Sequence, residues 1–361
     1  MYKLMTPGPT QVRENVRMAR SQVCTNPDLD SEFYDYYKET CELISGLLET
    51  RNETLILDGE GILGLEAACA SLTEPGDSVL VIDNGVYGRG FADFAAMYGA
   101  KVTFYKASYT KAIDMDEFRA FLKKNHNFKY ASLVHCDTPS GVLNPVEEIG
   151  QELHKYGILS IVDSVSAMFG EPLCVDAGRL DLVCGGSQKA LSAPPGLAFV
   201  TVSEAAKKAM ENRKTPIASF YANLLVFKDY YKNQWFPYTM PISDIYGLRT
   251  ALENVKADTD RYKRHARLGE LTRQRVRHMG LSLYLENGYS NTVTVIRVPE
   301  GVNASEVLEA MKREHHIMIA GSFDVLSGQV IRIGHMGENA NEKDVTETLD
   351  ALEAVMTAYI K

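Results

Sequence analysis

Cysteine is scarce in this chain of 361 residues, and none of its six cysteines forms a Cys-x-x-Cys pair. Four of the six lie in apolar surroundings and are interpreted as reduced core residues: Cys41, Cys69, Cys136 and Cys184. Disulfides are therefore not predicted. Because reduced cysteines are typical of the cytoplasm, we expect a cytoplasmic protein.

The sequence also lacks any stretch long and apolar enough to span a membrane, and its first residues lack the apolar run of a signal peptide. Its lysines and arginines are scattered and its net charge is −9, so it has no basic stripe for binding nucleic acid. The adjacent His315 and His316 cannot place both rings on one side of a regular element. We therefore expect no membrane, nucleic acid or metal ion as a partner.

What the sequence does contain is an alternation of short apolar runs and amphipathic stretches. Several runs are apolar on both faces, as expected for strands that helices cover on both sides. Helical patterns at 62–72, 115–124 and 146–156 lie between them. The alternation predicts an α/β fold. Its mostly parallel sheet would have seven strands, at 54–57, 78–82, 101–105, 130–135, 158–163, 181–184 and 197–202.

The pattern changes near Met240 and Pro241. An amphipathic segment at 243–279 predicts one helix or two, strands follow at 291–298 and 329–333, and a helix at 342–358 closes the chain. These elements predict a small α+β domain made of residues 1–14 and 246–361. The large α/β domain would then comprise residues 15–245.

Lys189 is the most informative residue of the sequence. It follows an apolar strand, among Gly, Ser and Pro residues, where a solvated surface charge is badly placed. Asp163 closes another predicted strand and supplies a second charge. A lysine that binds the cofactor and an aspartate that keeps a pyridine nitrogen protonated are what pyridoxal phosphate chemistry requires. The alternative is a buried ion pair at the end of the sheet.

Two further segments follow strand ends. At Glu60, Gly61 and Ile62 a glycine-rich turn opens a helix, whose free N–H groups could hold a phosphate. An ordinary strand-to-helix turn looks much the same, and a glutamate beside a phosphate is repelled. Tyr87 lies between glycines and could stack on a flat cofactor, or simply pack onto its own loop.

Thr138, in an Asp-Thr-Pro-Ser-Gly segment, could donate a hydrogen bond to a ring oxygen, or could belong to a plain turn. Arg332 lies inside an apolar strand, where a guanidinium needs an anion. That anion could be a substrate carboxylate or an internal Asp or Glu. Ligands of α/β sheets bind at the carboxyl ends of strands, and all but one of these segments fall there. Their agreement is stronger evidence for a ligand site than any single segment.

With these motifs together, the chain resembles the class-V aminotransferases of the fold-type I pyridoxal-phosphate enzymes, in particular the alanine/serine–glyoxylate/pyruvate aminotransferase group. The resemblance runs nearly end to end. It is carried by Thr-Pro-Gly-Pro at 6–9, Gly-Glu-Gly at 59–61, Asn-Gly-Val-Tyr-Gly at 84–88, Val-Asp-Ser-Val at 162–165, Ser-Gln-Lys-Ala-Leu at 187–191 and Arg-Ile-Gly at 332–334. The lysine motif with its Ala-Pro-Pro-Gly tail is highly specific.

The resemblance implies a role for each matching position around the cofactor ring. Lys189 would form the Schiff base and Asp163 would pair with the pyridinium. Val165 would pack under the ring, Tyr87 would stack above it, and Thr138 would lie near the ring oxygen.

The resemblance also implies how phosphate and substrate are held. Four residues would surround the phosphate: Glu60, Gly61, Ile62 and Gln188. Gly8 would line the substrate side and Arg332 would hold the substrate carboxylate. Thr239 matches a residue that reaches the phosphate from the other subunit, which implies a homodimer with shared active sites, with a tetramer left open.

Glu60 departs from the pattern, because many relatives have serine there. Together with Asp-Thr-Pro-Ser-Gly and Gly-His-Met-Gly, it resembles pyridoxamine–pyruvate aminotransferase, which takes the unphosphorylated vitamin as a substrate. A glutamate suits a neutral hydroxymethyl group, whose O–H it can accept. That group uses an extra arginine shortly before the position of Arg332, and residues 319–331 contain none.

The expected function is therefore transamination with pyridoxal 5′-phosphate through a Lys189 Schiff base. A small amino acid, alanine or serine, would be the donor and glyoxylate or pyruvate the acceptor. The alternative is pyridoxamine–pyruvate transamination. Cysteine desulfurases share the fold type but need a cysteine shortly before Arg332, where this chain has none. A cofactor-binding protein without activity would be expected to lack Lys189 or Arg332.

Overall fold

The computed structural model describes residues 2–359, and this part of the chain contains thirteen strands and thirteen α-helices. The strands are β1 (Lys3–Leu4), β2 (Glu53–Asp58), β3 (Ser78–Asp83), β4 (Lys101–Lys106), β5 (Tyr130–Val134), β6 (Cys136–Asp137), β7 (Val142–Leu143), β8 (Leu159–Asp163), β9 (Leu182–Gly186), β10 (Leu197–Val202), β11 (Val293–Arg297), β12 (Ile317–Met318) and β13 (Val330–Gly334).

The α-helices are α1 (Glu14–Ala19), α2 (Ser31–Leu47), α3 (Gly61–Leu72), α4 (Val86–Met97), α5 (Met115–Lys124), α6 (Val146–Lys155), α7 (Val175–Gly178), α8 (Glu204–Glu211), α9 (Tyr230–Asn233), α10 (Ile242–Ala257), α11 (Arg261–His278), α12 (Ala304–His315) and α13 (Glu342–Tyr359). Across residues 2–359, none of these helices has the length and hydropathy that a membrane crossing requires.

Seven strands form one sheet in the order β2-β10-β9-β8-β5-β3-β4. β10 runs antiparallel to both of its neighbours, and the remaining pairs are parallel. All seven strands predicted from the sequence lie in this sheet. The predicted α/β fold with a mostly parallel seven-stranded sheet is therefore confirmed.

The continuous apolar runs of the sequence are the strands buried along their whole length. β5, β9 and β10 have no solvent-exposed position. Helices α4 and α6 contact β5, and α3 contacts β9 and β10. A strand covered in this way offers no position where a polar side chain is solvated, which explains why it does not alternate between polar and apolar residues.

The segment predicted as one helix or two forms two, α10 and α11, separated at Asp258 by a non-helical backbone conformation. The buried face of α10 belongs to the core under the seven-stranded sheet, whereas Leu268 and Val276 of α11 belong to a second core. The division into two domains stays a prediction. The packing of α10 favours a boundary after Ala257 rather than at 245, which lies inside this helix.

The second core lies among α11, α12, α13 and the strands near them. β11 pairs with β13 in antiparallel orientation, and β1 pairs with β12 in parallel. The backbone N–H of Gly334 also donates to the Met5 carbonyl, at 2.8 Å. These bonds tie the first residues of the chain to the C-terminal strands, and so they fix where the segment after Met5 lies.

The sheet places the carboxyl ends of six strands at one edge, and five of these strands lead to candidate site residues. β3, β5, β8 and β9 run in the same direction, and β2 shares it because β2 and β9 are both antiparallel to β10. Asp163 is the last residue of β8, and the segments that follow β2, β3, β5 and β9 contain Glu60, Tyr87, Thr138 and Lys189, respectively. This is the edge where α/β sheets bind ligands.

Candidate active site

Lys189 lies in the turn between β9 and β10, and its side chain is half-buried. Its Nζ donates a hydrogen bond to the Pro7 carbonyl, at 2.6 Å. Burial lowers the pKa of Lys189 to about 8. The positive charge of Arg332 lowers this pKa further, and the negative charge of Asp163 opposes the shift. The amine therefore loses its proton more readily than an ordinary lysine, as a nucleophile or base must.

Gly8 allows the N-terminal segment to lie against Lys189. Its φ is +101°, and a Cβ at this position would lie 2.5 Å from Cδ and 2.6 Å from Nζ of Lys189. A residue with a side chain would therefore be strained and would also displace the lysine. The predicted place of Gly8 on the substrate side agrees with this contact and stays a prediction.

Asp163 is the last residue of β8. Its Oδ1 accepts a hydrogen bond from the Val165 N–H, at 3.0 Å. Burial raises the pKa of Asp163 to about 6, against the effect of the Val165 N–H, and the charges of Asp137 and Glu60 raise it further. Within residues 2–359, no ion pair joins Asp163 to Lys189. The alternative of a simple buried ion pair is therefore not what forms here.

These residues line a cavity of about 310 Å³ at the carboxyl edge of the sheet. Its lining includes most of the predicted cofactor-binding residues: Glu60, Ile62, Tyr87, Thr138, Asp163, Val165, Gln188 and Lys189. Gly61 lies beside it, since a Cβ there would come within 2.9 Å of Val165. Gly8 also lines the cavity. Thr239 is exposed and lies outside this lining, so within one chain it is not brought to the site.

An adjoining cavity of about 440 Å³ shares Tyr87, Thr138 and Lys189 with the first, and Arg332 lines it. Arg332 is 8% exposed. Its Nε donates to the Gly321 carbonyl at 2.6 Å, and its Nη1 donates to the Thr138 carbonyl at 3.1 Å. Among the residues that the structure describes, no carboxylate lies within 4.0 Å of this guanidinium. The alternative of an internal salt bridge is therefore wrong, and the guanidinium is available to an anion.

Tyr87 does not lie in a loop but in the first turn of α4. Its ring is about one-third exposed, lines both cavities, and meets the edge of the Phe323 ring with 5.8 Å between centroids. The Arg332 guanidinium also lies over the Phe323 ring, with 6.0 Å between Cζ of Arg332 and the ring centroid. Nothing in the sequence distinguishes Phe323 from other loop aromatics, so only the tertiary structure identifies it.

Glu60 fills the position where a phosphate was expected. It is the N-cap of α3, and its Oε2 accepts a hydrogen bond from the Ile62 N–H at 3.0 Å. Its Oε1 accepts from Nε2 of Gln188 at 2.6 Å. The N–H groups at this helix start are thus not all free, because the carboxylate takes the place that suits an anion.

The two ends of the first cavity differ in how well they fit pyridoxal phosphate. The ring end fits, since between positions 2 and 359 neither Asp163 nor Lys189 has an ion-pair partner and the buried Ser166 Oγ on the same lining has no hydrogen-bond partner. The phosphate end presents the Glu60 carboxylate instead of open donors. The residues therefore fit a pyridine ring, whereas they fit a phosphate only if Glu60 turns away.

Comparison with known proteins agrees with this geometry. Residues 10–346 match the family model "Aminotransferase class-V". The chain is 34% identical to the pyridoxamine–pyruvate transaminase of Mesorhizobium japonicum, over 92% of this chain and 86% of that one. It is 31% identical to the alanine–glyoxylate aminotransferase of Callithrix jacchus, over 98% and 87%. The crystal structure of the ureidoglycine–glyoxylate aminotransferase of Bacillus subtilis superposes with a TM-score of 0.96 and 30% identity, over 100% and 94%.

We expect Gly8→Ala to lose about 1–3 kcal/mol of unfolding free energy from backbone strain and to move Lys189 away from Pro7. Gly76→Ala is the matched control, because Gly76 also has a positive φ, +91°, but nothing lies within 4 Å of a Cβ there. Urea unfolding measures the strain, and acylation of Lys189 followed by peptide mass spectrometry measures its displacement. If Gly8→Ala and Gly76→Ala lose the same stability and Lys189 reacts as in wild type, Gly8 does not lie against Lys189.

The rate of Lys189 acylation should rise with pH to a midpoint of about 8 and then level off. The rate rises with pH because only the neutral amine reacts. A lowered pKa means that the neutral form becomes abundant at a lower pH. With a pKa of about 8, roughly one-tenth of the amine is neutral at pH 7, far more than for an ordinary lysine. Arg332→Gln removes a nearby positive charge and should move the midpoint upward. A wild-type midpoint above about 10 would contradict the burial of this amine.

Proposed function

The chain belongs to the class-V aminotransferase family and is a transaminase, and on that premise we propose a reaction. It transfers the amino group of a small amino acid, alanine or serine, to glyoxylate or pyruvate, with pyridoxal 5′-phosphate as cofactor. The observation that carries the proposal is the meeting of Lys189, Asp163 and Arg332 at two adjoining cavities, where none of them forms an ion pair with another described residue.

When bound, the cofactor supplies an electron-accepting pyridine ring that stabilises the charge left on the substrate when its α-carbon loses a proton. In this proposal the Asp163 carboxylate holds a proton on the ring nitrogen. The pKa of Asp163 is raised because burial outweighs the effects of the Val165 N–H and the Lys189 charge, and a positively charged ring nitrogen would stabilise the carboxylate further.

Lys189 would move the proton that the substrate loses. Its amine would take the proton from the substrate α-carbon as a base and then, as an acid, give it to the C4′ carbon of the cofactor. A base works best when its pKa lies near the working pH, and burial brings the pKa of Lys189 to about 8. Its contact with the Pro7 carbonyl holds the amine at the wall shared by the two cavities.

Arg332 binds the substrate carboxylate and so fixes the direction of the C–H bond that is broken. Two backbone carbonyls, of Gly321 and Thr138, hold the guanidinium from one side. Its remaining donors are free for a carboxylate, which a planar fork binds with two parallel hydrogen bonds. The name of the Callithrix relative, an alanine–glyoxylate aminotransferase, supports small monocarboxylic substrates.

We expect Lys189→Ala to abolish turnover with alanine and glyoxylate, because no other amine replaces the base. Arg332→Gln should raise the KM of both substrates by about 10- to 100-fold, as the loss of a charge-assisted pair predicts. Arg332→Lys keeps the charge but not the fork and is the matched control, expected to fall between. Steady-state kinetics measure all three variants, and turnover by Lys189→Ala would refute the scheme.

A second candidate follows from Glu60. If the carboxylate stays on the Ile62 N–H and Gln188, the ligand at this corner is better neutral than phosphorylated. Unphosphorylated pyridoxamine would then be the amino donor and pyruvate the acceptor, as in the Mesorhizobium relative's name. The physical reason is that a carboxylate accepts a hydroxymethyl O–H but repels a phosphate dianion.

The two candidates predict different responses to Glu60→Gln, which removes the charge and keeps the shape. If Glu60 faces the ligand, as the second candidate requires, the variant should bind pyridoxal 5′-phosphate about tenfold more tightly than wild type and free pyridoxal no more tightly. If Glu60 turns away from the phosphate, as the first candidate requires, the affinity for pyridoxal 5′-phosphate should not change. The measurement is titration of the apoprotein with each aldehyde by absorbance, beside mass analysis of the ligand that purifies with wild type. Tight phosphate binding by wild type, unchanged in the variant, would remove the second candidate.

We also propose that the active unit is a homodimer with shared active sites. Thr239 is exposed and lies away from the cavity of its own chain, as a residue that serves a second copy must. Large exposed aromatic side chains lie before it in sequence, at Phe220, Tyr221 and Trp235. Such groups are favourably covered by a partner.

A further inference from the structure

Asp137 is a buried carboxylate for which the reaction scheme gives no task. It ends β6 and is 1% exposed. Its Oδ1 accepts a hydrogen bond from the Tyr87 N–H at 2.9 Å, and its Oδ2 accepts from the Ser140 hydroxyl at 2.7 Å and the Ser140 N–H at 3.2 Å. Among residues 2–359 no cation lies within 4.0 Å of it, although its charge opposes the effect of burial, which lowers the pKa of Arg332. A charge is buried at such cost only where its hydrogen bonds hold it firmly.

The first of these bonds fixes the start of α4. The Tyr87 N–H is one of the free donors of the first helical turn, and the Asp137 carboxylate satisfies it from another strand end. The backbone before it passes very close, since a Cβ on Gly85 would lie 2.3 Å from Cγ of Asp137. The position of the Tyr87 ring on both cavities therefore depends on this carboxylate.

The remaining bonds fix the turn that holds Arg332. Asp137 binds Ser140 through its side chain and accepts the Gly141 N–H with its own carbonyl, at 2.7 Å. Between them lies Thr138, whose carbonyl accepts from Nη1 of Arg332 at 3.1 Å. The direction of that carbonyl, and with it one side of the guanidinium, is set by a turn closed on Asp137.

We propose that Asp137 is a positioning residue that holds Tyr87 and the carboxylate-binding arginine, Arg332, in fixed relation to each other. It lines neither cavity, so it acts through these two residues and not by contact with a ligand. The inference rests on the proposed role of Arg332 in binding the substrate carboxylate. It applies to both candidate reactions, because each passes a 2-oxo acid through that site.

Asp137→Ala removes every side-chain bond, and we expect the KM for the 2-oxo acid to rise about tenfold with a smaller change in kcat, as the loss of charge-assisted hydrogen bonds predicts. Asp137→Asn keeps the shape and one acceptor, so its KM should rise less. Ser140→Ala is the matched control: it removes one bond to Oδ2 and leaves the Tyr87 bond in place. We expect its KM to stay within about threefold of wild type.

The decisive comparison is the double variant Asp137→Asn with Arg332→Gln. If Asp137 acts through Arg332, the double variant should have the KM of Arg332→Gln alone, because coupled residues are not additive. A purely structural role would instead lower the thermal midpoint and the active fraction and leave KM unchanged. Should Asp137→Ala fail to fold, Asp137→Asn and the double variant carry the test.

The outcomes separate this inference from the proposed function. If wild type shows no transamination with any 2-oxo acid, or if Arg332→Gln leaves KM unchanged, the proposed function fails. If Arg332→Gln raises KM while folded Asp137→Asn and Asp137→Ala do not, only the positioning role fails. A KM in the double variant equal to the product of the two single effects would also overturn it.

Discussion

The parallel pairing of β5, β8 and β9 sets the relative positions of Thr138, Asp163 and Lys189, the centre of the candidate active site. Val134 pairs with Asp163, and Asp163 pairs with Cys184, so these three strands end side by side. The chain then leaves each strand within a few residues of Thr138, Asp163 or Lys189. A shift in this register would turn Asp163 to the opposite face of the sheet, because side chains alternate along a strand.

The second constraint is electrostatic. The charges of Asp163 and Arg332 both shift the pKa of Lys189, and the charge of Lys189 in turn opposes the rise in the pKa of Asp163, yet no ion pair among the three forms in the described chain. Each charge is held instead by backbone groups: the Pro7 carbonyl, the Val165 N–H, and the carbonyls of Gly321 and Thr138. Charges held in this way keep their positions while remaining open to a ligand, which is the preorganisation that catalysis needs.

Glu60 occupies a helix start that could otherwise receive an anion from a ligand. The start of α3 offers N–H donors and the positive end of a helix dipole, a place that suits any anion. Here the chain's own carboxylate takes that place, and Gln188 supports it. In our proposal, the choice between a phosphorylated cofactor and an unphosphorylated substrate depends on whether this carboxylate or a phosphate takes these donors.

The sequence by itself determined which segments form the strands of the sheet and which charged residues lie at the strand ends. Apolar runs predicted all seven strands of the sheet, since burial on both faces leaves a local signature, and Lys189 and Asp163 were identifiable because charges after buried strands are unusual. The resemblance added the family, which comparison confirmed.

Only the tertiary structure decided the rest. It inserted β10 antiparallel between β2 and β9, placed Tyr87 in a helix, bound Glu60 to its own helix start, and left Arg332 without a carboxylate. It also joined Asp137 to Tyr87, fifty positions earlier in the chain, and Thr138 to Arg332. These contacts join residues far apart in sequence, and no local pattern records which donor meets which acceptor after the chain has folded.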